Sequence, residues 1–151
     1  EVIGSAGLRL RGYREALEAA GLSYDDALVA YTTLWHRANG ATSTRELLAR
    51  GVPFDAVFGL NDTLALGAMR ALQEASIAVP DDVAVIGFDD LDEAQYSIPS
   101  LTTVDPGQRW IARTAVARLL QRIADPDAAG QPQLMLADFR IQVRESAPAA
   151  R

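Results

Sequence analysis

Val83-Ala84-Val85-Ile86 is a short, uniformly apolar run, and Gly87-Phe88-Asp89-Asp90 ends it abruptly with two carboxylates. An apolar run without alternation suits a strand buried on both faces, the kind found in parallel sheets covered by helices. In an open α/β sheet, polar groups just past the carboxyl end of a strand sit in the ligand crevice. This one stretch therefore points both to an α/β fold and to the edge of the sheet where a ligand would bind.

The rest of the chain repeats the theme. Val2-Ile3 reads as the stub of a first strand. Leu10, Tyr13, Leu17 and Ala20 then recur at helical spacing, with Gly21 as the stop. Ala27 to Tyr31 reads as a second strand. Ser43 or Thr42 reads as the cap of a helix running through Arg50, with Leu47 and Leu48 inward and Gly51 closing it. Asp55 to Leu60 is the third strand, and Asn61-Asp62-Thr63 turns it into a helix whose inner face is Ala65, Ala68, Met69 and Leu72. Val83 to Phe88 is the fourth. Strands alternating with helices predict a three-layer, Rossmann-like parallel sheet with right-handed crossovers.

After Asp90 the rhythm changes. A loop from Leu91 to Ser100 leads to a single extended pass over Leu101 to Val104. Asp105 then caps a helix from Pro106 to about Ala124, with Ala112, Ala115, Val116, Leu119, Leu120 and Ile123 on one stripe. Asp125 to Pro132 is a breaker loop. Leu134 to Leu136 and Phe139, Ile141 and Val143 are expected to form a terminal strand pair, and Ser146 to Arg151 a fraying tail.

Four positions fall beyond the carboxyl ends of four different strands: Arg9, Trp35, Asn61 and Asp89. In a parallel sheet they converge on one mouth. A cation, a flat aromatic, an amide and a carboxylate together suit a polyhydroxylated ligand. Arg and Asp form charge-assisted hydrogen bonds to hydroxyls, Asn supplies a donor and an acceptor, and an indole face stacks on the C–H-rich face of a sugar. Taken singly, each has a plainer reading. Arg9 is a helix-surface arginine, Trp35 a core or interface anchor, Asn61-Asp62 a helix cap, and Asp89-Asp90 a turn former.

Composition removes other classes. With 151 residues the chain is one domain's length, and 49% apolar residues suffice for a core. All fourteen basic residues are arginine, yet the net charge is −6, which opposes a nucleic-acid grip by these residues. There is no Cys to form a disulfide, ligate a metal or act as a nucleophile. His36, the single histidine, stands in a loop without a partner at any telling spacing. No Gly-x-Ser-x-Gly elbow, phosphate-cradling loop with a Lys or His-based metal spacing is present. Neither a catalytic residue, a metal nor a cofactor is expected. No apolar run approaches membrane-spanning length, and no signal peptide is visible. Glu1-Val2-Ile3-Gly4 opens without Met inside an expected strand, so the chain is expected to be part of a longer protein.

Several segments, in order, resemble the LacI/GalR family of bacterial regulators. Arg9-Leu10-Arg11-Gly12-Tyr13-Arg14-Glu15-Ala16-Leu17 is similar to its Arg-x-x-Gly-aromatic helix, and Trp35 stands five residues before Gly40 where members often place a stacking aromatic. Asp55 to Ala68 resembles its strand–Asn-Asp–helix segment. Pro80 to Asp90 with Pro99 to Val104 is its most recognisable signature, and Val143-Arg144-Glu145-Ser146 its usual ending.

The resemblance implies the C-terminal lobe of a periplasmic-binding-protein type I fold, with residues 1–151 forming part of an effector-binding domain. The helix at 106–124 would cross to the other lobe; most of that lobe and the DNA-binding domain would lie outside the chain. It implies Arg9, Asn61 and Asp89 as polar effector contacts and Trp35 as the stacking wall. The partners would be a sugar or sugar-like effector and, through the absent domain, a DNA operator, in a cytoplasmic homodimer with Tyr96 as a candidate interface anchor. The alternative is a periplasmic sugar-binding protein feeding a transporter. Two departures stand out. The loop from Ile3 to Arg9 is short for the family, and Pro106 replaces a Gln that many relatives direct at the ligand.

Overall fold

The computed structural model describes residues 4–125, 131 and 133–148. Five helices and four strands follow in order: α1 (Ser5–Ala19), α2 (Arg37–Arg50), β1 (Ala56–Phe58), α3 (Asp62–Glu74), β2 (Ala84–Phe88), α4 (Asp92–Tyr96), β3 (Thr102–Asp105), α5 (Gln108–Ala124) and β4 (Arg140–Gln142). A 3₁₀ turn at Asp26–Leu28 lies between α1 and α2. The sheet order is β1-β2-β3-β4. β1 and β3 flank β2 in parallel, with Val57 opposite Val85 and Gly87 opposite Thr103. β4 joins β3 antiparallel, with Ile141 opposite Val104. The expected α/β fold is present, and its sheet is mixed because the returning chain closes the β3 edge.

The core lies between α3 and the sheet. Ala65, Met69 and Leu72 recur at helical spacing along α3 and meet Val83, Val85 and Leu101. The expected inner face of this helix is therefore the buried one. α2 packs on α3 from outside, and two glycines set the distance. A Cβ on Gly67 would stand 2.0 Å from the Arg37 carbonyl oxygen, and one on Gly40 2.2 Å from that of Leu64. This contact also explains where α2 begins. Asn39-Gly40 reads locally as a break, which placed the cap at Thr42 or Ser43. The helix instead starts at Arg37, because close packing against α3 outweighs the roughly 1 kcal/mol that glycine costs a helix interior. Gly51 ends it at φ +69, the left-handed stop expected of it.

Other elements depart from their local reading. Ala27 to Tyr31 is not a strand: among the described residues no strand lies beside it. The Ala27 and Val29 carbonyls accept from Arg50 Nη1 instead, at 2.8 and 2.9 Å. The first strand expected at Val2-Ile3 lies outside the described residues, as does most of the breaker loop up to Pro132. The Leu91–Ser100 loop contains the short helix α4. α5 begins at Gln108, not Pro106, since Asp105 Oδ1 accepts from the Gly107 amide and Gly107 takes φ +75. Leu134–Leu136 forms no strand. The expected terminal pair is one strand, β4, whose partner is β3.

The largest correction concerns Ser146, expected in a fraying tail and found fully buried. Residues 84 and 86 bond to the β1 side, where the Ala84 amide donates to the Asp55 carbonyl and the Gly59 amide to that of Ile86. Val85 faces the other way, where β3 has not yet begun. The Val85 amide donates to the Ser146 carbonyl at 2.9 Å, and Ser146 Oγ donates to the Val85 carbonyl at 2.6 Å. Ser146 Oγ also accepts from the Thr102 amide at 2.8 Å. Leaving such buried groups unpaired costs about 1–3 kcal/mol each, so the chain end is pinned by the ladder it completes.

The glycine contact predicts a paired outcome. Gly67→Ala drives a methyl into the α2 backbone and should lower stability by about 1–3 kcal/mol. Gly12→Ala, in the middle of α1 with nothing within 4 Å of its Cβ, should be neutral or stabilising by about 0.5–1 kcal/mol. Urea denaturation of both variants checks this, and equal stabilities would dismiss the close approach.

Candidate functional site

The carboxyl ends of β1 and β2 open onto a group of side chains drawn from separate parts of the chain. Arg9 comes from α1. One nitrogen of its guanidinium donates to the Leu60 carbonyl just past β1, and Nη2 lies 3.3 Å from Asp89 Oδ1 just past β2. Its Cζ sits 3.7 Å from the centroid of the Phe88 ring and 5.5 Å from that of Trp35. The cation is thus held between two aromatic faces and a carboxylate, a geometry that attracts charge to the ring quadrupoles. The Arg9 and Asp89 side chains remain 19% and 27% exposed, so the pair is reachable from solvent.

Trp35 precedes α2, and its carbonyl ties it to the start of α3. Thr63 Oγ1 donates to that carbonyl at 2.5 Å and Asn61 Nδ2 at 3.4 Å. Asn61 is also the cap of α3: its Oδ1 accepts from the Leu64 amide at 2.9 Å, and the Thr63 hydroxyl oxygen lies 3.1 Å from it. Its carbonyl oxygen is therefore committed to the fold, while its amide holds one long bond. Trp35 and Asp89 each meet Arg9, and Asn61 joins them through the Trp35 backbone. Tyr96, on α4, is 74% exposed and takes no part in this group.

Three participants escaped the sequence reading. Phe88, the last residue of β2, forms the floor under Arg9. Gln108, in the first turn of α5, donates from Nε2 to the Asp89 carbonyl at 2.5 Å. Its position two residues after Pro106, where a ligand-facing Gln was missed, was the available signal. Arg144 pairs with Asp90 at 2.7 Å and also donates to the Leu101 carbonyl, so adjacent aspartates serve opposite sides of the turn.

Burial pushes the Asp89 carboxyl up from its ordinary value, and the charge and hydrogen bond of Arg9 pull against that. The same cause raises Asp62, which is completely buried. The Thr103 hydroxyl and the Leu91 amide pull it down, and the charges of Asp89 and Asp90 push it further up. The cleft therefore offers a guanidinium as donor, a partly desolvated carboxylate as acceptor and two aromatic faces. Those are binding elements.

The sequence pattern of the periplasmic binding protein-like domain matches residues 3–147. The HTH-type transcriptional regulator CelR of Thermobifida fusca is 38% identical over 138 residues, covering 91% of this chain and 40% of that protein. A solved LacI-family structure from Sanguibacter keddieii superposes with a TM-score of 0.91 at 54% identity, covering 97% of this chain and 54% of the other. The solved complex of transcriptional regulator CelR with cellobiose gives a TM-score of 0.86 at 38% identity, covering 94% and 43%. The chain thus spans between two fifths and somewhat over half the length of these relatives.

The raised Asp62 has a consequence for pH. The folded protein keeps this proton where the unfolded chain has lost it, so unfolding free energy falls as pH rises through the window above the ordinary carboxylate value. The penalty is fully present above the native value. Relative to Asp62→Asn, which cannot titrate, the unaltered protein should gain stability as pH is lowered from neutral into that window. Urea denaturation across the range measures the difference, and a flat one would remove the account.

Proposed function

The chain belongs to the periplasmic binding protein-like domain family, matching the effector-binding region of LacI/GalR-type regulators, and on that premise we propose that it senses a sugar for a DNA-binding transcriptional regulator. The observation that carries the reading is Arg9, paired with Asp89 and set against the Trp35 and Phe88 rings at the carboxyl ends of β1 and β2. A pyranose or furanose presents vicinal hydroxyls at its rim and C–H groups on its faces. Asp89 accepts from the hydroxyls, Arg9 donates to them and Trp35 takes a ring face, while Asn61 contributes its amide. The relative CelR bound to cellobiose supports the sugar class.

The mechanism is linkage. Effector bound between two lobes favours one arrangement of them, and its differential affinity shifts operator affinity by the same factor. α5 supports a second lobe: none of its residues is buried, and Val116, Leu119, Leu120 and Ile123 are each more than half exposed. We assign it to the crossing and its stripe to the other lobe. The operator is read by a domain outside this chain, the protein acts in the cytoplasm, and no catalytic step is involved. Among the described residues no helix is long and apolar enough to cross a membrane. The relatives named are transcriptional regulators, which favours this reading over a transporter's binding protein.

On the full-length protein, Asp89→Ala should weaken sugar binding by about 2–5 kcal/mol, the cost of truncating one partner of a charged hydrogen bond that the bound sugar would bury. Trp35→Ala should cost roughly 1–2 kcal/mol if the ring stacks. Calorimetry and tryptophan fluorescence against a panel of mono- and disaccharides, with purines as controls, test both. A purine response without a carbohydrate response would overturn the sugar assignment, and unchanged affinity in Asp89→Ala would remove that residue from the site.

The intact regulator is a homodimer in this reading, since paired heads read two-fold operators. Tyr96 and Ile98, 74% and 95% exposed, belong to its contact. Sedimentation at micromolar concentration should show a dimer that Tyr96→Ala weakens. A wild-type monomer rejects the dimer, and an unweakened variant rejects the anchor.

A further inference from the structure

We infer that Asp62, which has no place in the cleft, is the positioning residue that holds the Asp89-Asp90 turn and so aims the Asp89 carboxylate. The turn needs holding. Asp89 has φ +113 and Asp90 φ +50, two successive non-glycine residues in a region that L side chains rarely adopt. Such backbone persists only where its surroundings over-determine it.

Both ends of the constraint meet at Asp62. Its Oδ2 accepts from the Leu91 amide at 2.7 Å, directly after the turn. Its Oδ1 accepts from Thr103 Oγ1 at 2.5 Å, and that hydroxyl accepts from the Asp90 amide at 3.3 Å. One carboxylate on α3 therefore fixes two successive amides, one directly and one through β3. The approach depends on Gly87, where a Cβ would stand 2.2 Å from Asp62 Oδ1.

Helix capping does not account for this residue. Asn61 already caps α3, and a carboxylate serving the helix dipole gains nothing from complete burial beside two other carboxylates. Its two acceptor oxygens are used, one each, by donors belonging to the turn and its support. Its job is geometric.

The inference rests on the proposed function in one respect, that Asp89 contacts effector; the test is made without ligand. Residue-resolved amide hydrogen exchange on the intact protein compares Asp62→Ala and Asp62→Asn with the unaltered chain. In Asp62→Ala, exchange at Asp90 and Leu91 should rise by at least about tenfold, the effect of losing a buried hydrogen bond, while Leu72 and Val85 stay protected. Asp62→Asn should restore protection, because its oxygen still accepts from the Leu91 amide while its NH₂ faces Thr103 Oγ1. If Asp62→Ala does not fold, Thr103→Val carries the test, exposing Asp90 and sparing Leu91. Unchanged protection of the turn, loss spread equally to Leu72 and Val85, or an Asn variant as exposed as Ala would each overturn the proposal. An Asp89→Ala protein that still binds sugar overturns the cleft assignment instead and leaves the exchange result standing.

Discussion

Where β2 ends, the backbone enters a conformation it would not keep alone, and much of the molecule is arranged around keeping it there. The Asp89 amide continues the ladder to Val104, the Asp90 amide reaches Thr103, and the Leu91 amide reaches Asp62. The Asp89 carbonyl accepts from Gln108, and the Asp90 carboxylate pairs with Arg144. Contacts thus arrive from α3, β3, α5 and the C-terminal return. Successive residues are turned to opposite tasks, Asp90 inward to the fold and Asp89 outward to Arg9. A flexible loop could present the same two carboxylates, but not in one fixed direction, and a hydrogen-bonding site loses much of its discrimination when its acceptor moves.

The packing below the turn follows the same logic. Glycines at 40 and 67 let α2 and α3 meet backbone to backbone, which sets the Trp35 loop close enough for Asn61 and Thr63 to reach the Trp35 carbonyl. Residues far apart in sequence thereby share one mouth. On the opposite side of β2, Ser146 supplies the hydrogen bonds that β3 is too short to provide. Glu145 accepts from the Ser100 amide and hydroxyl, and Arg144 ties the same return to Asp90. The last described residues are therefore part of the support for the binding edge, although they are remote from it in sequence.

Arg9 illustrates how electrostatics and solvent compete here. Its charge stabilises the Asp89 carboxylate, but partial burial works the other way and wins in direction, leaving that carboxyl raised. A partly desolvated acceptor bound to a partly exposed donor leaves a charge-assisted hydrogen bond within reach of solvent. Asp62 is different: wholly buried and paired only with neutral donors, it bears a desolvation cost that no cation offsets. Such a group is kept for where it holds its neighbours.

Arg9 and Trp35 reach the binding edge without the strands expected to present them, neither of which is found among the described residues. The order of β1, α3 and β2, the inner face of α3 and the place of Asn61 and Asp89 past the carboxyl ends of β1 and β2 were legible in the sequence. They depend on local periodicity and on the rule that ligands meet the carboxyl ends of parallel strands. The family signature was legible for the same reason, since it records short segments in a fixed order. The start of α2, the antiparallel β4 and the burial of Ser146 were decided by tertiary structure. Each turns on a partner distant in sequence: Leu64 for Gly40, β3 for β4, and Val85 for Ser146. Phe88, Gln108 and Asp62 belong with these. The sequence names them, but only the fold brings Phe88 under Arg9, Gln108 to the Asp89 carbonyl and Asp62 to the Leu91 amide. Hydrogen bonds and close packing act through space over a few ångströms, and periodicity along the chain carries no record of them.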